Sequence, residues 1–88
     1  MANHESARKR IRQTAKRTER LRRVRTSTRT AMKRLRAALA RNDKKTAEDS
    51  LKLVISQIDR AVSKGVFHRR TGSRYVARLA SQVSRLAS

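Results

Sequence analysis

The 88-residue sequence predicts an all-α fold, a three-helix bundle whose long N-terminal helix projects beyond two shorter helices. Three observations carry this reading. Apolar residues recur at helical spacing in three separate stretches, no Pro interrupts the chain, and the two glycines, Gly65 and Gly72, fall close together. A chain with so few breakers favours a few long helices over many short elements. Strand alternation extends nowhere beyond a few residues.

The first helix is predicted near 5–41. Its core stripe is Leu21, Val24, Thr28, Ala31, Leu35 and Ala38, spaced 3, 4, 3, 4, 3, with Met32 and Leu39 alongside. Asn42 tolerates the left-handed turn that ends a helix, and Asp43 can cap the next. Thr46 with Asp49 is a weaker, competing start. The second helix is predicted near 44–64, where Ala47, Leu51, Val54, Ile58 and Ala61 repeat at 4, 3, 4, 3 and Ile55 and Val62 widen the stripe. Lys64-Gly65-Val66 reads as its C-terminus, with Gly65 left-handed and Val66 or Phe67 folding back on the last turn. His68 to Ser73 then forms a short connector, and Thr71 or Ser73 caps a third helix near 72–86. That helix carries Val76, Leu79, Val83 and Leu86, with Tyr75 beside them. The whole of 1–88 is one domain.

Helix lengths make the shape informative. At about 1.5 Å per residue, the first helix runs roughly 55 Å and the others about 20–30 Å each. Two short helices cover only the later half of the first. Residues 1–20 are therefore expected to project, and between Ala2 and Arg20 the one large aliphatic residue is Ile11.

Composition sets the function class. Lys and Arg number 25 against 6 Asp and Glu, a net charge of +19. Leu, Ile, Val and Phe total 17, and 12 of the remaining hydrophobic residues are Ala. So thin a core under so much charge calls for an anionic partner, and nucleic acid leads. The chain has no Cys, so neither a disulfide nor a thiolate metal site reinforces it, and a reducing, intracellular setting is expected. No run approaches the ~18 apolar residues of a spanning helix. The Arg-rich beginning has the composition of a mitochondrial presequence but lacks the apolar stripe, and it has no h-region of a signal peptide.

The charge is uneven: residues 1–36 hold 14 basic and 2 acidic groups, a net of +12. In a helix, Arg8, Arg12, Lys16 and Arg20 form a column, as do Arg25, Arg29 and Lys33, and like charges at that spacing cost roughly 0.2–0.5 kcal/mol per pair. Glu5 and Glu19 alone offset them in this half. The N-terminal half is therefore expected to fray in free protein and to become helical when phosphates neutralise it. Arg outnumbers Lys by 18 to 7, and guanidinium forks onto phosphate in two hydrogen bonds. Thr14, Thr18, Thr26, Ser27 and Thr30 lie among the Arg residues as further donors, whereas Thr28 belongs to the core stripe. Tyr75 reads as a core-edge residue. With so few aromatics, the sheet-based stacking platforms of single-strand readers are excluded, leaving recognition of folded nucleic acid by backbone and shape.

Catalysis finds no support. No Gly-rich nucleophile turn or phosphate loop accompanies the hydroxyls, and Asp43, Glu48 and Asp49 suit a helix start. His4 and His68 lack metal-ligand spacing, so no metal and no cofactor is expected. A phosphate contact and a capping role both suit His68. An architectural, histone-like DNA-binding protein satisfies the charge equally well, although no groove-reading motif, β-arm or apolar wedge supports it. A membrane-active cationic helix is disfavoured because the most basic segment has no apolar face.

The string Met1-Ala2-Asn3-His4-Glu5-Ser6-Ala7-Arg8-Lys9-Arg10-Ile11-Arg12-Gln13 resembles the opening of the bacterial small-subunit ribosomal protein S-twenty family. The resemblance continues through Arg29-Thr30-Ala31 with Lys33-Arg34, Lys64-Gly65-Val66 with His68, and Arg74 with Arg78-Leu79-Ala80. It spans nearly the whole chain in order. The resemblance implies a three-helix bundle that binds small-subunit ribosomal RNA and stabilises its fold during assembly, in the small ribosomal subunit of the cytoplasm or of an organelle. The RNA regions it implies are the 5′ domain and the long helix of the 3′ minor domain. Neighbouring ribosomal proteins are further partners, and no membrane or homo-oligomer is expected. Carried over by position, the RNA-facing candidates are Lys9, Arg10, Arg12, Lys16, Arg17, Arg29, Lys33, Arg34, His68, Arg74 and Arg78. Charge and place add Arg8, Arg20, Arg22, Arg23, Arg25, Arg69 and Arg70. The family usually has Asn where this chain has Arg70, and basic residues at Tyr75, Val76, Ser81 and Gln82. Its third helix is thus less basic than the pattern, and the cap lost with Asn must come from elsewhere.

Overall fold

A computed structural model of the chain describes residues 4–86. Met1, Ala2 and Asn3 of the N-terminal string, and residues 87 and 88, lie outside them. Helix α1 spans His4–Ala40, α2 Lys44–Ser63 and α3 Arg69–Ser84, and the described residues contain no strand.

Two tight turns set the topology. At the first, Asn42 takes φ 56°, the Asn42 N–H donates to the Leu39 carbonyl (3.1 Å) and the Asp43 N–H to that of Ala38 (3.1 Å). This is the Schellman pattern, which satisfies the carbonyls left over at a helix end. Asp43 then caps α2: its carboxylate accepts from the Thr46 N–H (3.2 Å) and the Thr46 hydroxyl (2.7 Å). Thr46 is thereby a partner of the cap and not the competing start. Those two bonds, with Arg41 nearby, hold the Asp43 carboxyl below its ordinary range. At the second turn Gly65 has φ 78°, and the Val66 and Phe67 N–H groups both donate to the Ala61 carbonyl (2.8 and 3.3 Å). Only glycine takes this conformation without a steric cost.

The start of α3 departs from the predicted 72. The helix begins at Arg69, with His68 as its cap in extended conformation (φ −66°, ψ 146°) and its Nδ1 accepting from the Arg70 N–H at 3.1 Å. Neither Thr71 nor Ser73 caps it. An imidazole nitrogen does here what an Asn or Ser oxygen usually does, and Arg70 lies inside the helix it starts. Gly72 consequently lies inside the first turn of α3 and is buried. A Cβ there would stand 2.6 Å from Val62 Cγ2 and 3.2 Å from Ile58 Cγ2, so the missing side chain lets α3 close on α2. The other helix ends fall one or two residues inside the predicted ones, at Ala40, Ser63 and Ser84.

The middle helix is α2, packed on both others, while the backbones of α1 and α3 stay apart along most of their length. The core is Met32, Leu35 and Ala38 from α1, Ala47, Val54 and Ile58 from α2, and Leu79 and Val83 from α3. Ala61 is buried as well, and Leu51, Val62, Tyr75, Val76 and Leu86 close the edges. Among the described residues Thr28 is the one buried polar side chain, fully enclosed, donating to the Val24 carbonyl at 2.8 Å and lying 3.4 Å from the Gln57 carbonyl across the seam. A hydroxyl so paired is buried without the cost of an unmet hydrogen bond.

From His4 to Arg20 every residue of α1 is exposed, and Leu21 is the first to touch the bundle. The molecule measures 67 × 21 × 14 Å with a radius of gyration of 17.8 Å. A compact chain of this length has about 12 Å. The excess is the projecting arm.

Two predictions follow from the turns and the α2–α3 contact. Gly72→Ala is expected to destabilise by about 1–3 kcal/mol through overpacking, although Ala is the better helix former. In thermal melts followed by circular dichroism this lowers Tm by several degrees, and an unchanged or raised Tm contradicts the close approach. The Asp43 carboxyl, held below its unfolded value of about 3.9, stabilises the fold above that pH and loses the effect as pH falls through the folded value. The stability gap between the parent chain and Asp43→Ala should therefore be full at pH 7 and narrow towards pH 2.

Candidate nucleic-acid interface

Every sequence-predicted contact residue, from Arg8 to Arg78, is exposed. How they distribute around the helices is the informative part.

In the arm, a turn of about 100° per residue spreads Arg8, Lys9, Arg10, Arg12, Lys16, Arg17 and Arg20 over about 200° of circumference. The remaining side carries Ala7, Ile11, Thr14, Ala15 and Thr18, with Ile11 67% exposed. Once α1 enters the bundle the charge changes sides. Arg22, Arg25, Arg29, Lys33 and Arg36 take the side that the arm leaves uncharged, whereas Arg23 and Arg34 continue the arm's own band. The two bands face roughly opposite directions.

Acidic partners are nearly absent. Among the described residues one ion pair forms, Arg23 to Glu19 at 2.9 Å, with both side chains more than half exposed. Such a pair is worth about 0.3–0.5 kcal/mol. It occupies Arg23 and leaves the other predicted guanidiniums and ammoniums without a carboxylate of the described residues within 4 Å.

The three helices differ in charge. α1 carries +12 and α3 +4 with no acid, while α2, with Glu48, Asp49 and Asp59, carries only +1. The basic faces of α1 and α3 meet along the seam where their backbones stand apart. A cleft of about 380 Å³ opens there, lined by Arg29, Met32, Lys33, Arg36, Phe67 and Tyr75. Further along, Arg36, Leu39, Gln82, Arg85 and Leu86 line a second hollow. Arg74 and Arg78 fall on the same face of α3 as Arg85, and the Arg74 guanidinium carbon stands 5.7 Å from the Tyr75 ring centroid. Arg69 sits on the opposite side of α3, in the groove against α2 that Asp59 also lines. Arg17, Arg20 and Lys64 gather where the arm leaves the bundle.

Sequence reasoning omitted Arg36, Lys64 and Arg85. The spacing held the signal: Arg36 follows Arg29 by seven residues and Arg85 follows Arg78 by seven, two turns along one face. Lys64 needed the antiparallel register of α1 and α2 to bring it beside Arg17 and Arg20.

The His68 cap has a chemical consequence. Nδ1 accepts a hydrogen bond, so the neutral ring carries its proton on Nε2, and the exposed side chain offers that N–H as a donor. Among the described residues no group of three His, Cys, Asp or Glu is placed to hold a metal ion, and no helix is long and apolar enough to cross a membrane.

A family model described as "Ribosomal protein S20" matches residues 2–84. Among curated proteins, the small ribosomal subunit protein bS20 of Geotalea daltonii is 52% identical over 87 residues, covering 99% of this chain and all of the relative. The protein of the same name from Citrifermentans bemidjiense is 49% identical over 86 residues, covering 98% of this chain and 99% of the relative. That from Helicobacter acinonychis is 46% identical over 87 residues, covering 99% and 98%.

Capping and contact can be separated at His68. His68→Ala is expected to cost roughly 0.5–2 kcal/mol of stability by uncapping α3. His68→Asn should restore the cap and the Tm while still lacking the imidazole donor, so any loss of RNA affinity that persists in Asn reports contact alone.

Proposed function

The chain belongs to the ribosomal protein S20 family, and from that premise we propose that it binds small-subunit ribosomal RNA directly and stabilises the RNA fold during assembly. Its role is structural and not enzymatic, in the small ribosomal subunit of the bacterial cytoplasm.

The observation that carries the RNA reading is the pair of opposed basic bands on α1. A rod charged on two sides is not neutralised by one RNA surface. It is neutralised between two, the arm's band against one segment and the band of Arg22, Arg25, Arg29, Lys33 and Arg36 against another. The protein then acts as a bridge, holding together RNA elements that would repel each other as polyanions. The two elements are the 5′ domain and the long helix of the 3′ minor domain. All eighteen sequence-predicted residues contribute phosphate contacts in this reading, with Arg36, Lys64 and Arg85 added. The arm has no packed face, so its helix depends on phosphate to relieve the like-charge columns.

Charge alone would equally suit an architectural DNA-binding protein, and competition between a ribosomal RNA fragment and duplex DNA at matched salt decides between them. With about 6–10 phosphates neutralised, affinity for RNA should fall roughly 10³–10⁵-fold between 50 and 200 mM salt. A flat response overturns the reading. Replacing Arg12, Lys16 and Arg20 by Gln should reduce the salt slope by about three and weaken binding without regard to sequence. Circular dichroism of the free chain should show less helix than the three elements supply, rising on addition of RNA.

A further inference from the structure

We propose that the cleft between α1 and α3 seats one unpaired nucleotide of the RNA, with its base against Tyr75 and its phosphates on Arg29, Lys33 and Arg36. The proposal rests on the RNA-binding reading above and adds to it a contact with a base, where charge alone implies contacts with the backbone.

The cleft differs from the rest of the basic surface. The hollows at Arg85, at Lys64 and at Arg69 also hold cations, but none has an aromatic ring in its lining to offer a base. Here two helices diverge, and the gap is floored by apolar groups. Met32 is almost fully buried at its base, and Phe67 of the α2–α3 turn and Tyr75 of α3 form its other side. Their rings meet edge to face with centroids 5.7 Å apart and an interplanar angle of 88°, so Phe67 packs against the Tyr75 ring and favours its present orientation. Both rings are half-buried, so each keeps surface for a visitor. The Arg74 guanidinium, itself planar and cationic, already lies over the Tyr75 ring. A base entering the cleft stacks on this ring beside that guanidinium or in its place.

The rim selects the occupant. Arg29, Lys33 and Arg36 line one wall, no carboxylate lines the cleft, and the acidic residues of the bundle lie on α2 and its cap. An apolar peptide side chain would fill the floor and leave three cations unanswered. A nucleotide answers both, since its base has a π face and its two flanking phosphates are anionic. A base inside a continuous duplex is already stacked on its neighbours, so the occupant is one without a partner: a bulge, a loop or an end. Stacking of this kind tolerates any base, purines most readily.

The chain reports on itself, because Tyr75 is its only tyrosine and it has no Trp. The test uses the full chain and three RNA hairpins of one stem: fully paired, with a single adenosine bulge, and with an abasic bulge at the same place. The adenosine bulge should bind about tenfold more tightly than the other two and quench Tyr75 fluorescence strongly, while they quench it little. Tyr75→Leu, checked for its helix content and Tm, should bind all three alike, at the affinity of the parent for the paired stem. Equal affinity and equal quenching across the three hairpins overturns the base seat, and so does a tenfold preference that survives in Tyr75→Leu. The quenching comparison needs no variant, so it stands even if Tyr75→Leu is unstable. In either failure, steeply salt-dependent binding to the paired stem leaves the RNA-binding function standing. Loss of that binding overturns both.

Discussion

The seating of α1 on α2 through Leu35, Val54, Ile58 and the enclosed Thr28 carries the rest of the molecule. Nineteen unbalanced positive charges push the chain apart, and few large apolar side chains oppose them. Those few are concentrated in one seam. Fully buried Ala38, Ala47 and Ala61 let the backbones come close, so that a small number of branched side chains fill the space between them. Without this seam there is no surface on which the cations are ordered. With it, the Arg residues of the packed half of α1 acquire a fixed direction, and charge that would otherwise be diffuse becomes an ordered band and a cleft.

The arm is the complement of the seam. Where α1 has a partner helix, one side is apolar and the cations are confined to the others. Where it has none, from His4 to Arg20, apolar residues have no value and the sequence offers only Ile11 among the large ones. The same helix thus serves two environments in turn. The switch between them occurs near Leu21, where Arg17, Arg20 and Lys64 crowd together. RNA packed there would complete, with phosphate, the enclosure that protein provides further along.

Much of this was legible in the sequence, for identifiable reasons. The 3–4 periodicity of Leu21 through Ala38 and of Ala47 through Ala61 reports the buried faces directly, since it arises from helix geometry itself. Asn42, Asp43 and Gly65 act through local backbone chemistry, which short stretches encode fully. The start of α3 was less legible, because His68 caps through a ring nitrogen and Gly72 sits in a helix to admit Val62 rather than to break it. The first gives a ring nitrogen a role usually taken by an oxygen, and the second depends on what lies across the gap. For the interface, exposure followed from residue type, but the cleft did not. Arg36, Phe67 and Tyr75 meet only because α1 and α3 both lean on α2 and leave a space between them, which no single helix records.

The turn at Asn42-Asp43 also sets a timescale. Ala38 and Ala47 are brought together by a link of only a few residues, and even Thr28 and Gln57, well along the seam, are 29 apart in the chain. The hairpin can zip from its turn outward, each contact shortening the loop that the next must close. Helical proteins with contacts this local fold in microseconds to milliseconds. A nascent chain of this kind completes its hairpin as soon as α2 is free of the machinery that makes it. The third helix, last in the chain, then closes on a seam already formed.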